Sequence, residues 1–263
     1  MDVQNAILVA AHPDDEILWF SSIFDQCKRV VVCYGESASS KESWDSGRVR
    51  LMQEYPLAKV KFLKLRQSGG FDAANWYKPE SSDSGLRLRG RAVATYEKNA
   101  HDLMRILASD LDQESVLVTH NPWGEYGHEE HVQVFRVLQR LQQTMGFELY
   151  VDGYVSNRSA TLMTQSLHLL DGPPLLRDSN RTLAQQLKRL YMDYDCWTFD
   201  DDFEWPEFEL FYRVCQSGAR AMDASVSVPL SLISRDHYVS PARKAAKNLL
   251  PGSVKSLIKR AIK

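Results

Sequence analysis

The sequence predicts an α/β fold: a mostly parallel sheet with helices on both faces. Three observations predict it. Short apolar runs rich in Val, Ile and Leu recur along the first half of the chain. Longer segments with helical spacing separate them, the alternation expected of parallel strands joined by crossover helices. Clusters of histidine and acidic residues directly follow two of the runs, at the carboxyl strand ends where such sheets bind ligands.

In chain order, residues 6–11, 29–34, 59–65 and 115–120 read as buried strands, and residues 87–107 and 131–143 as helices. The Ser/Gly/Asp-rich stretch 67–84 reads as a long loop. Its Phe71, Trp76 and Tyr77 serve either to stack on a ligand such as a sugar or to pin the loop to the body. After Phe147 the pattern weakens. Residues 148–155 read as a strand, and 182–191 as a helix with Leu183, Leu187 and Leu190 on one face. Residues 193–211 interleave eight acids with seven aromatics, which reads as a strand or irregular edge with rings inward and acids in solvent.

At 263 residues, 44% hydrophobic and 25% charged, the chain can bury a full core without disulfides. Cys27, Cys33, Cys196 and Cys215 form no C-x-x-C pair, which argues against a cysteine zinc site or a dithiol redox motif. No basic leader and no membrane-length apolar run stand in the sequence, so a cytoplasmic protein is expected. The net charge of −2 hides an asymmetry: residues 239–263 carry seven Lys or Arg and no acid, leaving 25 basic and 34 acidic residues elsewhere. The acidic body argues against nucleic acid as a partner. The division expected is a catalytic domain over 1–238 and a basic tail over 239–263. Within that tail, 241–263 reads as amphipathic helix able to rest on anionic lipid, peripherally at the inner membrane surface, or else to pack on the body or on another copy.

The chemistry is concentrated in two places. Ala11-His12-Pro13-Asp14-Asp15-Glu16 follows the first strand, and Gly124-Glu125-Tyr126-Gly127-His128-Glu129-Glu130-His131 follows the fourth. His128 and His131 are three apart at a helix start and share a face. Catalytic zinc takes three protein N or O ligands and leaves a position for water, whose pKa falls to about 7. His12, Asp15 and His131 can supply the three ligands. Asp14 is placed to act as base, and Tyr126 and His128 are candidates to polarise a carbonyl. His120, at a strand end, stands beside the site and is a candidate either to contact substrate or to support a metal ligand. His101, His168 and His237 lack acidic company and read as structural or surface residues. No glycine-rich phosphate loop is present, which argues against redox and kinase roles.

These two motifs resemble those of the PIG-L/LmbE-like zinc-dependent N-acetylglucosaminyl deacetylases, over roughly residues 5–145. The first match is complete. The second keeps both histidines but has Glu129 at the usual Pro and Glu130 where Asp is common. The resemblance implies a Rossmann-like fold and one Zn2+ per chain, or another divalent metal, on His12, Asp15 and His131. It implies Asp14 as base, with His128 and Tyr126 on the amide carbonyl. It also implies an arginine contact to substrate, for which Arg48 and Arg50 compete, and a role near substrate for Glu36 after the second strand. The expected activity is removal of acetyl from an N-acetylated amino sugar on an unspecified carrier. The alternatives are a non-catalytic carbohydrate- or nucleotide-binding domain on the same fold, and an amidase of another sugar-linked amide such as a thiol conjugate.

Overall fold

Strand β1 (Ala6–Ala10) lies near the middle of a seven-stranded sheet. In the computed structural model, which describes residues 1–38, 44–216 and 228–233, it pairs in parallel with both β2 (Arg29–Glu36) and the strand Val116–Thr119. With β3 (Val60–Arg66), β4 (Val116–Thr119) and β5 (Glu148–Asp152), these make five parallel strands. At the far edge β6 (Leu170–Asp178) and β7 (Phe208–Val214) run antiparallel, giving the order β3-β2-β1-β4-β5-β7-β6. The predicted α/β class is the one observed.

Seven α-helices lie among the described residues, in chain order: α1 (Asp15–Leu18), α2 (Ser21–Phe24), α3 (Asp45–Glu54), α4 (Val93–Ala108), α5 (Glu129–Met145), α6 (Ala160–Ser166) and α7 (Arg181–Asp193). The two-residue period of β1 sorts its side chains between two cores. Ile7 and Val9 pack with Leu103 and Leu107 of α4 and Phe135 and Leu138 of α5. Ala6, Leu8 and Ala10 pack on the other face with Ile17, Phe20, Ile23 and Tyr191, from α1, α2 and α7. Burial on both faces explains why these strands read as continuous apolar runs.

The topology brings the two motifs together. From β1 the chain steps to β2 on one side, and later returns to β4 on the other. The ends of β1 and β4 therefore lie side by side where the winding reverses, with Val9 opposite Thr119 and the Thr119 hydroxyl donating to the Val9 carbonyl at 2.7 Å. This is the position where open sheets leave a ligand crevice.

Two elements differ from expectation, and a third, an edge strand, falls where none was assigned. The helix expected over 87–107 starts only at Val93, because Gly90 takes a positive φ of 81° and a 3-10 turn precedes α4. The strand expected over 148–155 divides at Gly153 into β5 and Tyr154–Ser156, which pairs with Ser231–Ile233. Strand β6 contains Gly172-Pro173-Pro174, composition that reads as a turn but that an edge strand tolerates. All four cysteines are free. No helix among the described residues is long and apolar enough to cross a membrane. The basic segment 241–263 and the boundary near residue 238 lie outside the described residues.

Candidate metal centre

The chain leaves β1 through Ala11, His12 and Pro13 and enters α1. At Asp14 φ is 99°, a left-handed conformation that costs a non-glycine residue about 1–3 kcal/mol and that clusters at functional sites. This kink lets adjacent carboxylates serve different surroundings. The Asp15 carboxylate joins the histidines. That of Asp14 accepts hydrogen bonds from the Thr198 hydroxyl at 2.9 Å and the Thr198 amide at 3.3 Å.

Three donor atoms form a nearly equilateral triangle. His12 Nδ1 is 3.1 Å from Asp15 Oδ2, His131 Nε2 is 3.2 Å from Asp15 Oδ2, and the two nitrogens are 3.2 Å apart. Each residue's other polar atom is fixed from outside. His12 Nε2 meets Glu130 Oε2 at 2.8 Å, Trp19 Nε1 donates to Asp15 Oδ1 at 2.9 Å, and His131 Nδ1 makes a short hydrogen bond to Glu125. Glu130 is itself held by the amide and hydroxyl of Ser68. With the outer nitrogens donating to carboxylates, Nδ1 of His12 and Nε2 of His131 present lone pairs to a carboxylate oxygen. Such a trio requires a positive charge among its members.

Charge on the residues themselves expresses the same demand. Burial lowers the pKa of His131, but Asp15 and Glu125 outweigh it and push the ring up to about 10. Burial raises Asp15, yet His131 and His12 hold it well below the usual carboxylate range. Donor atoms 2.0–2.2 Å from a tetrahedral zinc stand about 3.3–3.6 Å apart. Edges of 3.1–3.2 Å therefore fit such an ion after slight expansion. His131 also belongs to two overlapping buried groups of possible ligands, His12–His128–His131 and Asp15–His120–His131.

Beside the triangle lies a cavity of about 340 Å³, lined in part by Asp14, Arg48, Phe71, Tyr126, His128 and Thr198. Burial pushes Asp14 up to about 6, against the pull of Arg48. Burial and the neighbouring histidines hold His128 well below its ordinary value, so its ring is neutral. His128 Nδ1 accepts the Glu130 amide at 3.1 Å and caps α5, which leaves Nε2 as the N–H donor. Tyr126 stands edge-on to His131, with ring centroids 5.4 Å apart.

The structure thus brings together His12, Asp14, Asp15, Tyr126, His128 and His131. Of the arginines it places Arg48 in the cavity wall, 1% exposed, with its guanidinium over Trp44 and Nη2 donating to the Pro13 carbonyl at 3.3 Å. Arg48 Nε and Nη1, like Trp44 Nε1, have no hydrogen-bond partner among the described residues. Three sequence-derived substrate contacts need correction. Arg50 lies outside the cavity, against the Tyr194 ring. Glu36 pairs with Arg66 at 3.3 Å and does not line it. His120 is fully buried behind the triangle: its Nε2 accepts the Ala11 amide at 2.8 Å and its ring stacks on His131. Sequence reasoning missed Glu125 and Glu130 as partners of the histidines. Their signal was present, since both stand inside the second motif. It also missed Thr198, Trp19 and Ser68. Glu16 accepts from the Asp14 amide at 2.9 Å, from Tyr55 at 2.9 Å and from Tyr191, and so holds the turn that carries Asp14.

No family model matches the sequence, and no curated protein matches it. Three solved structures resemble the fold, each with 13% identity over 81% of this chain and 99% of the other. They are a deacetylase–teicoplanin complex from teicoplanin biosynthesis (TM-score 0.46), a deacetylase–bog complex from that pathway (0.47), and the zinc-inhibited form of teicoplanin deacetylase (0.45). Likeness at this level assigns no activity, and the chemistry of this chain has to be read from its own cluster.

Proposed function

We propose that the protein is a zinc-dependent hydrolase that removes the acetyl group from an N-acetylated amino sugar. The observation that carries this reading is the triangle of His12, Asp15 and His131, two of whose members, His12 and Asp15, line the same cavity as Asp14 and His128. The amino-sugar class is supported by the resemblance of the two motifs to PIG-L/LmbE-like deacetylases.

Zinc held on the triangle supplies Lewis acidity toward water and the amide carbonyl. The remaining work falls to the chain. Asp14, buried and raised to about 6, takes a proton from the attacking water near neutral pH and returns it to the leaving nitrogen. His128, neutral with Nε2–H as donor, and Tyr126 stabilise negative charge growing on the carbonyl oxygen. Arg48, with unpaired donors in the wall, orients the sugar.

The test is acetate release from a panel of free, nucleotide-linked and lipid-linked N-acetyl sugars, with and without chelator. Chelator-sensitive release from at least one member is expected. Sugar binding without release from any member would instead favour a non-catalytic carbohydrate-binding domain.

A further inference from the structure

A second cavity, of about 330 Å³, adjoins the first, and nothing in the reaction above uses it. One wall divides them: Phe71 faces the first, its ring centroid 5.1 Å from that of His128, while the next residue, Asp72, lines the second. Behind this wall the Arg158 guanidinium lies 4.9 Å from both the Phe71 and the Trp76 ring centroids. It is pinned there by Gly127, where any Cβ would fall 2.8 Å from the Arg158 side chain. Trp76 Nε1 donates to Glu129, so this ring fixes the loop to the body.

Tyr77 differs from Trp76. It is 97% exposed at the second cavity, so its ring contributes nothing to packing. Around it stand the amides of Asn75 and Asn157 and the hydroxyl of Thr161. The one cation among the described residues that line it, Arg158, already pairs with Asp72 and, at 3.4 Å, with Glu129. The cavity therefore offers a flat aromatic face, donors and acceptors together, and no uncompensated positive charge. A phosphate would lack a free cation, and an acyl chain would lack an apolar channel. A pyranose matches both halves: its C–H face suits an aromatic ring, and its hydroxyls both donate and accept.

We infer that this cavity is a second saccharide subsite, which takes a neutral sugar unit joined to the N-acetylated sugar at the metal centre. The inference rests on the reading of that centre as an amino-sugar deacetylase, and it narrows the substrate to an oligosaccharide or glycoside.

The test uses the full chain carrying Asp14→Asn, with affinity measured calorimetrically for N-acetylglucosamine and for its β-1,4-linked trimer. The trimer is expected to bind at least about tenfold tighter, and addition of Tyr77→Ala to erase that advantage. Because Tyr77 is exposed, the melting temperature should stay unchanged. Asn157→Ala should remove a smaller part. Equal affinity for monomer and trimer, an advantage indifferent to Tyr77, or tighter binding of a nucleotide-linked N-acetyl sugar through Tyr77 would overturn the inference. The two readings fail separately. Tyr77-dependent trimer binding without acetate release by the unmodified chain sinks the deacetylase and leaves the subsite. Acetate release with no trimer advantage does the reverse.

Discussion

At the His12–Asp15–His131 triangle each member has an outer partner: Glu130, Trp19 and Glu125. At the nearby Arg48–Trp44 wall, three buried nitrogen donors have none among the described residues. Both regions are buried, yet they are organised oppositely. An ion site must hold its donors rigidly before the ion arrives, and the outer carboxylates set both ring orientation and tautomer. A substrate wall instead keeps donors unpaired, at a desolvation cost that a bound ligand offsets. On the proposed function, the difference would separate residues that build the centre from those that read the substrate.

Substitutions on the two sides should therefore fail differently. The largest effect is expected from His131→Ala, which removes a vertex: metal content by elemental analysis should fall from one per chain toward zero, and acetate release to background. Asp14→Asn should keep the metal and lose about 10²–10⁴-fold in kcat, the usual span for a positioned acid–base group. Retained turnover in that variant would remove Asp14 from the proton path. Glu125→Gln and Glu130→Gln should each weaken metal affinity by about 10–100-fold while leaving KM little changed in metal-saturated enzyme. Arg48→Ala should do the converse, raising KM by about 10–100-fold at full metal occupancy. If Arg48→Ala strips the metal, or Glu130→Gln alters KM alone, the distinction between the regions collapses.

The smallest effect expected lies outside both. Burial pushes Glu209 up to about 7, although the amides and hydroxyls of Ser21 and Ser22 pull it down. Its folded pKa exceeds its unfolded one, so the folded state holds the extra proton. Stability from this group is full below about pH 4.5 and is lost as pH rises through about 7. Glu209→Gln should flatten the dependence of melting temperature on pH in that window, a slope of at most about 1.4 kcal/mol per pH unit.

The legible part of the fold was the parallel part. Strands buried on both faces announce themselves as apolar runs; His12 and Asp15 were readable because they lie within five residues of such a run's end, and His131 because the motif that follows the fourth run carries it into the start of a helix. Glu125 and Glu130 were visible as acids. Which histidine each would hold depends on the Glu125 backbone at φ 48° and on the rotation of α5, and neither is written in spacing. Thr198 gave no signal: it reaches Asp14 across 184 residues from an irregular segment. The reading of that segment as aromatics inward is right for Trp197, Phe199, Phe203 and Trp205, and incomplete because Thr198 and Phe199 also line the cavity. The two uses open to the loop aromatics divide among them: Trp76 pins, Phe71 walls the cavity, and Tyr77 is left exposed.

His12 and His131 are 119 residues apart in sequence and 3.2 Å apart at their facing nitrogens. An ion gripped by both is a reversible staple across nearly half the chain. The unfolded chain cannot assemble those vertices, so an ion held there would bind only the folded form and raise its stability by mass action. It also closes the long excursion through β2, β3 and α4 into a loop. Chelation would then open this loop of 119 residues as well as silence the proposed chemistry, and metal supply would govern how long the molecule survives in the cell.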